Sequence, residues 1–478
     1  MIHSPLLRAG RPYKSLNVIH VPHFQTGETV VEVSQANRGL IARDLTQARQ
    51  NKRILSELPV LQLLQICKDA ADHFGNSDLP LLDSTQSPDD YVRQLSSTTG
   101  MPESLCRINM AKITRVLREM PAVLGGLTRG LDLNMLDAGW SRNNGTTLSF
   151  SSQTDTLGAI LPSNSPGVHA LWLPSIPLKV PLILRPGSQE PWTPFRICQA
   201  FLAAGLPPEA VSYYPSDYSG ATEILLRTER SMLFGDKKTV EPWTGNSGVQ
   251  IHGPGWSKII FGQDMIEQWE DYLDLMVTSA VANGGRSCLN ISGVWVPKYG
   301  RKIAEAFAKR VAEITARAMD DPQAQIAAFA NRKGAEMLSS MIDSQLSDGA
   351  AHDITEKFRS GKRLVEAFGT TFLLPTVIWC EKNDHPLAHS EFLFPFVSVV
   401  EVPQNELLEK MDSTLVATAI TQDENFIRDL FAAQNVDRLN IGPIPTMQIS
   451  WDQPHEGNLF EHLYRQRSLQ IAKEFAFA

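Results

Sequence analysis

The sequence predicts an α/β protein built from a parallel-sheet domain, a second α/β domain and a small extended arm. Three observations carry this reading. Residues 161–262 alternate short apolar strands, turns and helices, the rhythm of parallel strands joined by helical crossovers. After Cys288 the alternation resumes, with an amphipathic helix over 302–319 that lines up Ile303, Phe307, Val311 and Ile314. Between the two, residues 281–296 place two glycines, a lone cysteine and a β-branched segment in succession. That pattern reads as a tight turn feeding a buried strand.

Composition bounds the class. The chain has 478 residues, enough for two or three domains. Hydrophobic residues at 42% and charged residues at 20% suit a globular protein. A formal net charge of −8 argues against a nucleic-acid surface. The 5 cysteines (Cys67, Cys106, Cys198, Cys288, Cys380) form no CxxC pair. Neither a zinc knuckle nor a disulfide framework is expected, and no metal site; the compartment is expected to be reducing. The N-terminus lacks a signal-peptide core, and the apolar run over 170–184 is broken by Pro174, Lys179 and Pro181. The expectation is a cytoplasmic protein with no membrane-spanning segment.

In chain order, residues 18–21 and 28–33 alternate as strands. Residues 37–75 turn helical and put Cys67 on an apolar face; a second helical block runs over 104–124. Residues 140–150 carry an Asn-Gly turn between strand-like runs, a hairpin. Strands follow at 156–161, 180–184, 211–214 and 231–234, with helices at 193–204 and 220–226, and residues 259–262 close the series. Beyond Cys288, residues 364–379 and 392–402 hold strands and 425–433 is helical. The tail, 447–478, starts strand-like and continues as a mixed amphipathic helix, either an arm docking on another subunit or a terminal helix on its own domain.

On its own segment Cys288 reads either as a nucleophile on a rigid turn or as a small buried hydrophobe. The order of motifs from 156 to 440 resembles the aldehyde dehydrogenase superfamily. Leu157-Gly-Ala-Ile-Leu-Pro-Ser-Asn164 is similar to the family's strand and Pro-x-Asn turn, whose Asn amide helps form the oxyanion hole. Arg185-Pro-Gly-Ser188 resembles the Lys-Pro-x-Glu turn at the adenosine ribose. Gly220 matches the next strand–helix unit, and Phe234-Gly235 the turn near the cofactor phosphates. Gly285-Arg-Ser-Cys288 resembles the nucleophile loop, and Glu391-Phe-Leu-Phe-Pro395 the turn whose Glu contacts the nicotinamide ribose. The resemblance implies a catalytic pair, Cys288 and Asn164, and cofactor contacts at Arg185, Ser188, Gly220, Phe234, Gly235 and Glu391. It also implies a division into a discontinuous cofactor domain (1–125 and 151–265), a catalytic domain (266–440) and an oligomerisation hairpin and arm (126–150 and 441–478), with a homodimer or homotetramer as the assembly.

The departures from the family pattern are informative. Where hydrolytic members carry a general-base Glu, this chain has Val249-Gln250-Ile-His252-Gly-Pro-Gly255, with no carboxylate. A glutamine cannot take a proton from water. The Gly-Pro-Gly turn is similar to that of the acylating, coenzyme A-dependent branch. The expectation is therefore NAD(P)H-dependent reduction of an acyl thioester such as an acyl-CoA to an aldehyde, or the reverse, through a Cys288 thioester, with coenzyme A as co-substrate. Two rivals stand: a Cys-dependent acyl transferase or thioesterase without redox chemistry, and a non-catalytic binding subunit. Ser188 in place of an acid, beside Arg185, leans to NADP over NAD, unless Glu190 rotates in. Arg286 is either a modulator of the thiol, a phosphate ligand or a solvated loop charge. His252 either acts on a departing thiol or is satisfied by the backbone.

Overall fold

The computed structural model describes residues 2–472. Two seven-stranded sheets dominate it. The first runs in the order Val249–His252, Arg230–Phe234, Leu157–Ile160, Leu182–Arg185, Val211–Tyr213, Leu6–Arg8, Arg11–Tyr13. Its first five strands are parallel, and the last two extend the edge antiparallel. The N-terminal region thus adds strands to this sheet as well as the helices over Arg38–Asn76 and Pro88–Leu127. The chain enters at the central strand Leu157–Ile160, steps outward to Val211–Tyr213, then returns to the other side at Arg230–Phe234. That reversal opens a crevice at the carboxyl ends of strands 157–160 and 230–234, where open α/β sheets receive ligands.

The second sheet runs Ala351–Asp353, Thr376–Cys380, Phe396–Glu401, Ile291–Val296, Ser257–Phe261, Thr414–Ile420, Val436–Ile441, parallel except at its first strand. All six residues of Ile291–Val296 are buried, as expected of a strand covered on both faces. Ser257–Phe261 belongs here, between Ile291–Val296 and Thr414–Ile420. By sequence alone, residues 259–262 close the series of the first sheet, so the structure corrects that placement. Four residues, 253–256, separate it from Val249–His252, so the chain crosses from one sheet to the other in a single turn. Periodicity cannot register that change of partner.

Other expected elements sit where they were read, with shifted ends. The helix expected over 302–319 is Gly300–Val311 and stops before residues 312–319. The hairpin Trp140–Asn143/Thr146–Ser152 turns on Asn144 (φ 49) and Gly145 (φ 81), both left-handed as a two-residue type I′ turn requires. Its third strand is Tyr464–Arg467, paired antiparallel with Thr146–Ser152. The long tail helix is not formed across the described residues: only Leu459–Leu463 is helical, and residues 473–478 lie outside the description. No helix among the described residues is long and apolar enough to cross a membrane.

Candidate active site

The two sheets face one cleft with opposite ends. The first presents the carboxyl ends of its strands, through 162–164, 235–236 and 253. The second presents the amino ends, because Cys288 precedes Ile291–Val296 and Glu391 precedes Phe396–Glu401. The cleft has a volume of about 440 Å³ and is lined by Asn164, Phe234, Gly235, His252, Cys288 and Glu391, among others. That size suits a small-molecule site.

The loop before Cys288, the candidate nucleophile, is wound by three successive left-handed residues, Asn283 (φ 55), Gly284 (φ 68) and Gly285 (φ 70). A Cβ on Gly285 would stand 2.3 Å from the Pro395 nitrogen, so only glycine fits. Side chains lock the turn from outside. Asn290 accepts from the Ser287 N–H at 2.9 Å and donates to the Ser279 and Ala282 carbonyls. Asn283 donates to Ser165 and accepts from Asn109. The Ser257 hydroxyl donates to the Cys288 carbonyl at 2.7 Å. On the facing turn, a Cβ at Gly255 would meet that same carbonyl oxygen at 2.1 Å. The Gly-Pro-Gly run therefore has a packing reason: it lets the backbone pass against the nucleophile loop.

Cys288 is the one cysteine of the five that is not fully buried. Cys67, Cys106 and Cys198 are core residues whose thiols burial pushes up, and Cys380 is pushed up to about 12. The Cys288 thiol is also pushed up, first by desolvation, then by the negative charges of Glu456 and Glu391, with Lys112 pulling the other way. Its Sγ donates to Glu456 Oε1 at 3.3 Å. The other oxygen, Oε2, lies 2.8 Å from His252 Nδ1. Since a carboxylate only accepts, Nδ1 carries the proton. Burial opposes the charge on Glu456, but the His252 hydrogen bond and the neighbouring histidines hold the carboxyl below its usual range. The His252 ring stacks on Phe234, centroids 4.3 Å apart, and its buried Nε2 has no partner among the described residues.

Glu456 is the residue that sequence reading missed. It lies 168 positions from Cys288 in a segment read either as a subunit-docking arm or as a terminal helix. Its one sequence signal is the Glu456-Gly457 pair, both left-handed (φ 53 and 89). The site does contain a carboxylate, although the strand with Gln250 supplies none. Gln250 instead donates to the Glu456 carbonyl at 2.6 Å.

The remaining expected residues divide. Asn164 lines the cleft and donates to the Arg286 carbonyl at 2.9 Å. Glu391 lines it too, accepting from the Gly255 and Trp256 N–H groups, and burial pushes its carboxyl up to about 7 against those bonds. Arg185, Ser188 and Gly220 do not line this cleft. Arg185 gives Nε and Nη2 to the Ser216 carbonyl. Gly220 packs against Ser216 and Ile41, and its N–H goes to Asp217. Ser188 is exposed. Glu190 is buried and held by His169 and Thr193, so it is not free to rotate toward a ribose. Arg286 is neither a solvated loop charge nor a cleft ligand by its bonds: buried, it donates to the Thr99 and Ala328 carbonyls and lies over Phe329. Phe329 and Phe392 line the cleft beside Phe234, while Phe394, Phe396 and Trp295 are core.

A family model described as the aldehyde dehydrogenase family matches residues 12–458. The chain belongs to the aldehyde dehydrogenase family, whose members are oxidoreductases acting on aldehydes. Among solved structures it is similar to PnpE from Pseudomonas sp. WBC-3 (17% identity, TM-score 0.78, covering 99% of this chain and 100% of that one). It is also similar to the indole-3-acetaldehyde dehydrogenase AldA of P. syringae in complex with NAD+ and IAA (14%, 0.79, 98% and 96%). A third is 3,6-anhydro-L-galactose dehydrogenase in complex with NAP (14%, 0.75, 97% and 99%). These likenesses are of fold. No curated protein sequence matches the chain.

Proposed function

We propose that this protein oxidises an aldehyde with a nicotinamide dinucleotide by way of a thioester on Cys288, releasing the acid. The observation that carries the reading is Cys288 itself: a cysteine that is not fully buried, lining a two-sheet cleft, its thiol hydrogen-bonded to a carboxylate. The cleft fits the cofactor's reactive end in kind. Phe234 and Gly235 stand at the switch-point crevice, Glu391 offers a buried carboxylate to a ribose, and His252 Nε2 is an unpartnered polar atom in the wall. When bound, the nicotinamide would accept the hydride. The chain's own groups do the rest. Cys288 loses its proton to solvent through the cleft, and the thiolate adds to the carbonyl carbon. The Asn164 amide and the Cys288 N–H are the candidate donors to the developing oxyanion. Loss of hydride leaves the acyl group on sulfur.

Of the two dinucleotides we favour NADP. Ser188 is exposed where the family places an acid, and Glu190 is locked by His169 and Thr193. A second reading, transfer of the acyl group to coenzyme A or reduction of an acyl-CoA, is favoured by the Gly253-Pro254-Gly255 turn and by Gln250 in the strand. A homodimer or homotetramer is the assembly we expect, with the sheet around Thr146–Ser152 as its contact.

The test incubates the protein with an aldehyde panel and NADP+ or NAD+, with and without coenzyme A. Reduced cofactor together with free acid supports the proposal. Acyl-CoA as the product selects the second reading. Persistence of activity in Cys288→Ala would sink both.

A further inference from the structure

We infer that Glu456, brought in from the C-terminal segment and oriented by His252, is the general base of this site, standing in for the carboxylate missing from the strand with Gln250. This rests on the Cys288 thioester reading proposed above. Three independent segments build the arrangement. Cys288 comes from the nucleophile loop, His252 from the end of the first sheet, and Glu456 from the stretch between the second sheet and the last helix.

The geometry is specific. One carboxylate oxygen meets Sγ at 3.3 Å and the other meets His252 Nδ1 at 2.8 Å. The imidazole is fixed in turn by its stack on Phe234. The Glu456 backbone is pinned by the Gln250 amide and held at φ 53, a left-handed conformation that a residue with a Cβ adopts only when its surroundings impose it. The next residue, Gly457, is also left-handed at φ 89, a conformation that favours glycine. Glu456 borders the main cleft on one side. On the other it borders a narrow, mostly apolar recess of about 60 Å³ that includes Val116, Leu171, Met232 and Trp451. It also reaches a more open surface pocket beside Arg129 and Asp452. The carboxylate therefore stands where an acyl group on Cys288 and incoming water would meet. Lys112, on the recess side, adds a positive charge that acts on both Cys288 and Glu456.

The step balances within these groups. Water gives a proton to Glu456 as its oxygen bonds to the thioester carbonyl carbon. The carbon–sulfur bond then breaks, the acid departs, and the Cys288 thiolate recovers the proton from Glu456. His252 is a positioning residue: it touches neither acyl carbon nor water in this scheme, and holds the carboxylate ionised and aimed.

The experiment uses p-nitrophenyl acetate, which acylates a nucleophilic cysteine without any dinucleotide by expelling p-nitrophenolate. The full chain should show a burst of p-nitrophenolate followed by steady turnover. Glu456→Gln should keep a burst near one per chain, accumulate an acetyl adduct on Cys288 by mass spectrometry, and lose steady turnover by about 10²–10⁴-fold. His252→Asn should lower kcat and KM together and leave kcat/KM unchanged, the signature of slowed deacylation, which a general loss of structure would not give. Glu456→Gly suits the left-handed backbone and leaves room for formate, which should restore turnover in a concentration-dependent way. Steady turnover in Glu456→Gln at the parent's rate, with no adduct, overturns the inference. So does a Glu456→Gly protein that folds, shows the burst and ignores formate. A parent with no burst overturns both this inference and the thioester reading. A normal burst and stalled Glu456→Gln, in a protein that oxidises no aldehyde with NADP+ or NAD+, upholds the base and sinks the dehydrogenase reading alone.

Discussion

Asn164 donates one amide hydrogen to the Arg286 carbonyl and keeps a second for the cleft it lines. If that second hydrogen meets the oxyanion, Asn164→Ala should lower kcat by roughly 10²–10³-fold with little change in thermal midpoint, measured by steady-state kinetics beside calorimetry. An unchanged kcat would remove Asn164 from the mechanism. Gly255 makes a different kind of demand. Its missing Cβ would fall 2.1 Å from the Cys288 carbonyl oxygen, a backbone atom with no flexible end to give way. Gly255→Ala should therefore displace the nucleophile. Kinetics should show about a 10²-fold loss of kcat, and denaturant titration a loss of about 1–3 kcal/mol. Both residues were visible as motif members. Glu456 was not, because nothing around it in sequence marks it as a partner of Cys288.

Secondary elements tell a similar story through their ends. Most strands and helices follow from apolar periodicity, since burial on one or both faces sets the spacing. Periodicity is silent on which sheet a strand joins, and Ser257–Phe261 is the case in point: five buried residues look the same beside either neighbour, and only the turn 253–256 and its packing on the Cys288 loop decide. The hairpin at Asn144-Gly145 was legible for the opposite reason, because its turn chemistry is local. Gly145 at φ 81 gives a direct check. Gly145→Ala should cost about 1 kcal/mol in urea unfolding, from forcing a Cβ into the left-handed region. It should leave the rate at Cys288 unchanged, since the hairpin does not line the cleft.

On the scale of the whole molecule, buried ionisable groups couple stability to pH with opposite signs. Glu391 is pushed up to about 7 by burial, above the ordinary carboxyl value of about 4.3, so between those values the folded chain binds more protons than the unfolded one. Its contribution is fully present at low pH and is lost as pH rises through about 7. His462 is pushed down to about 4 by burial and by Arg230, below the ordinary value of about 6.5. Its contribution is present above about 6.5 and is lost as pH falls toward 4. Glu391→Gln removes the first effect alone. The thermal midpoint of that variant minus the parent's should rise steadily from about pH 4.5 to 7.5; a flat difference would mean that Glu391 is ionised throughout.

The sequence by itself determined the family and the two α/β halves, and it marked Cys288 as the candidate nucleophile. Those features are written in local periodicity, in turn residues and in short motifs that hold their order along the chain. Only the tertiary structure decided which groups answer that nucleophile. Arg185, Gly220, Glu190 and Arg286 all have their polar groups spent on neighbouring backbone or side chains, so matching a motif does not leave them free for a ligand. The carboxylate beside Cys288 arrives from 168 residues away, carried by a segment whose path depends on both sheets being folded. A local pattern has no term for a contact at that separation, because the contact exists only after the chain between has been placed.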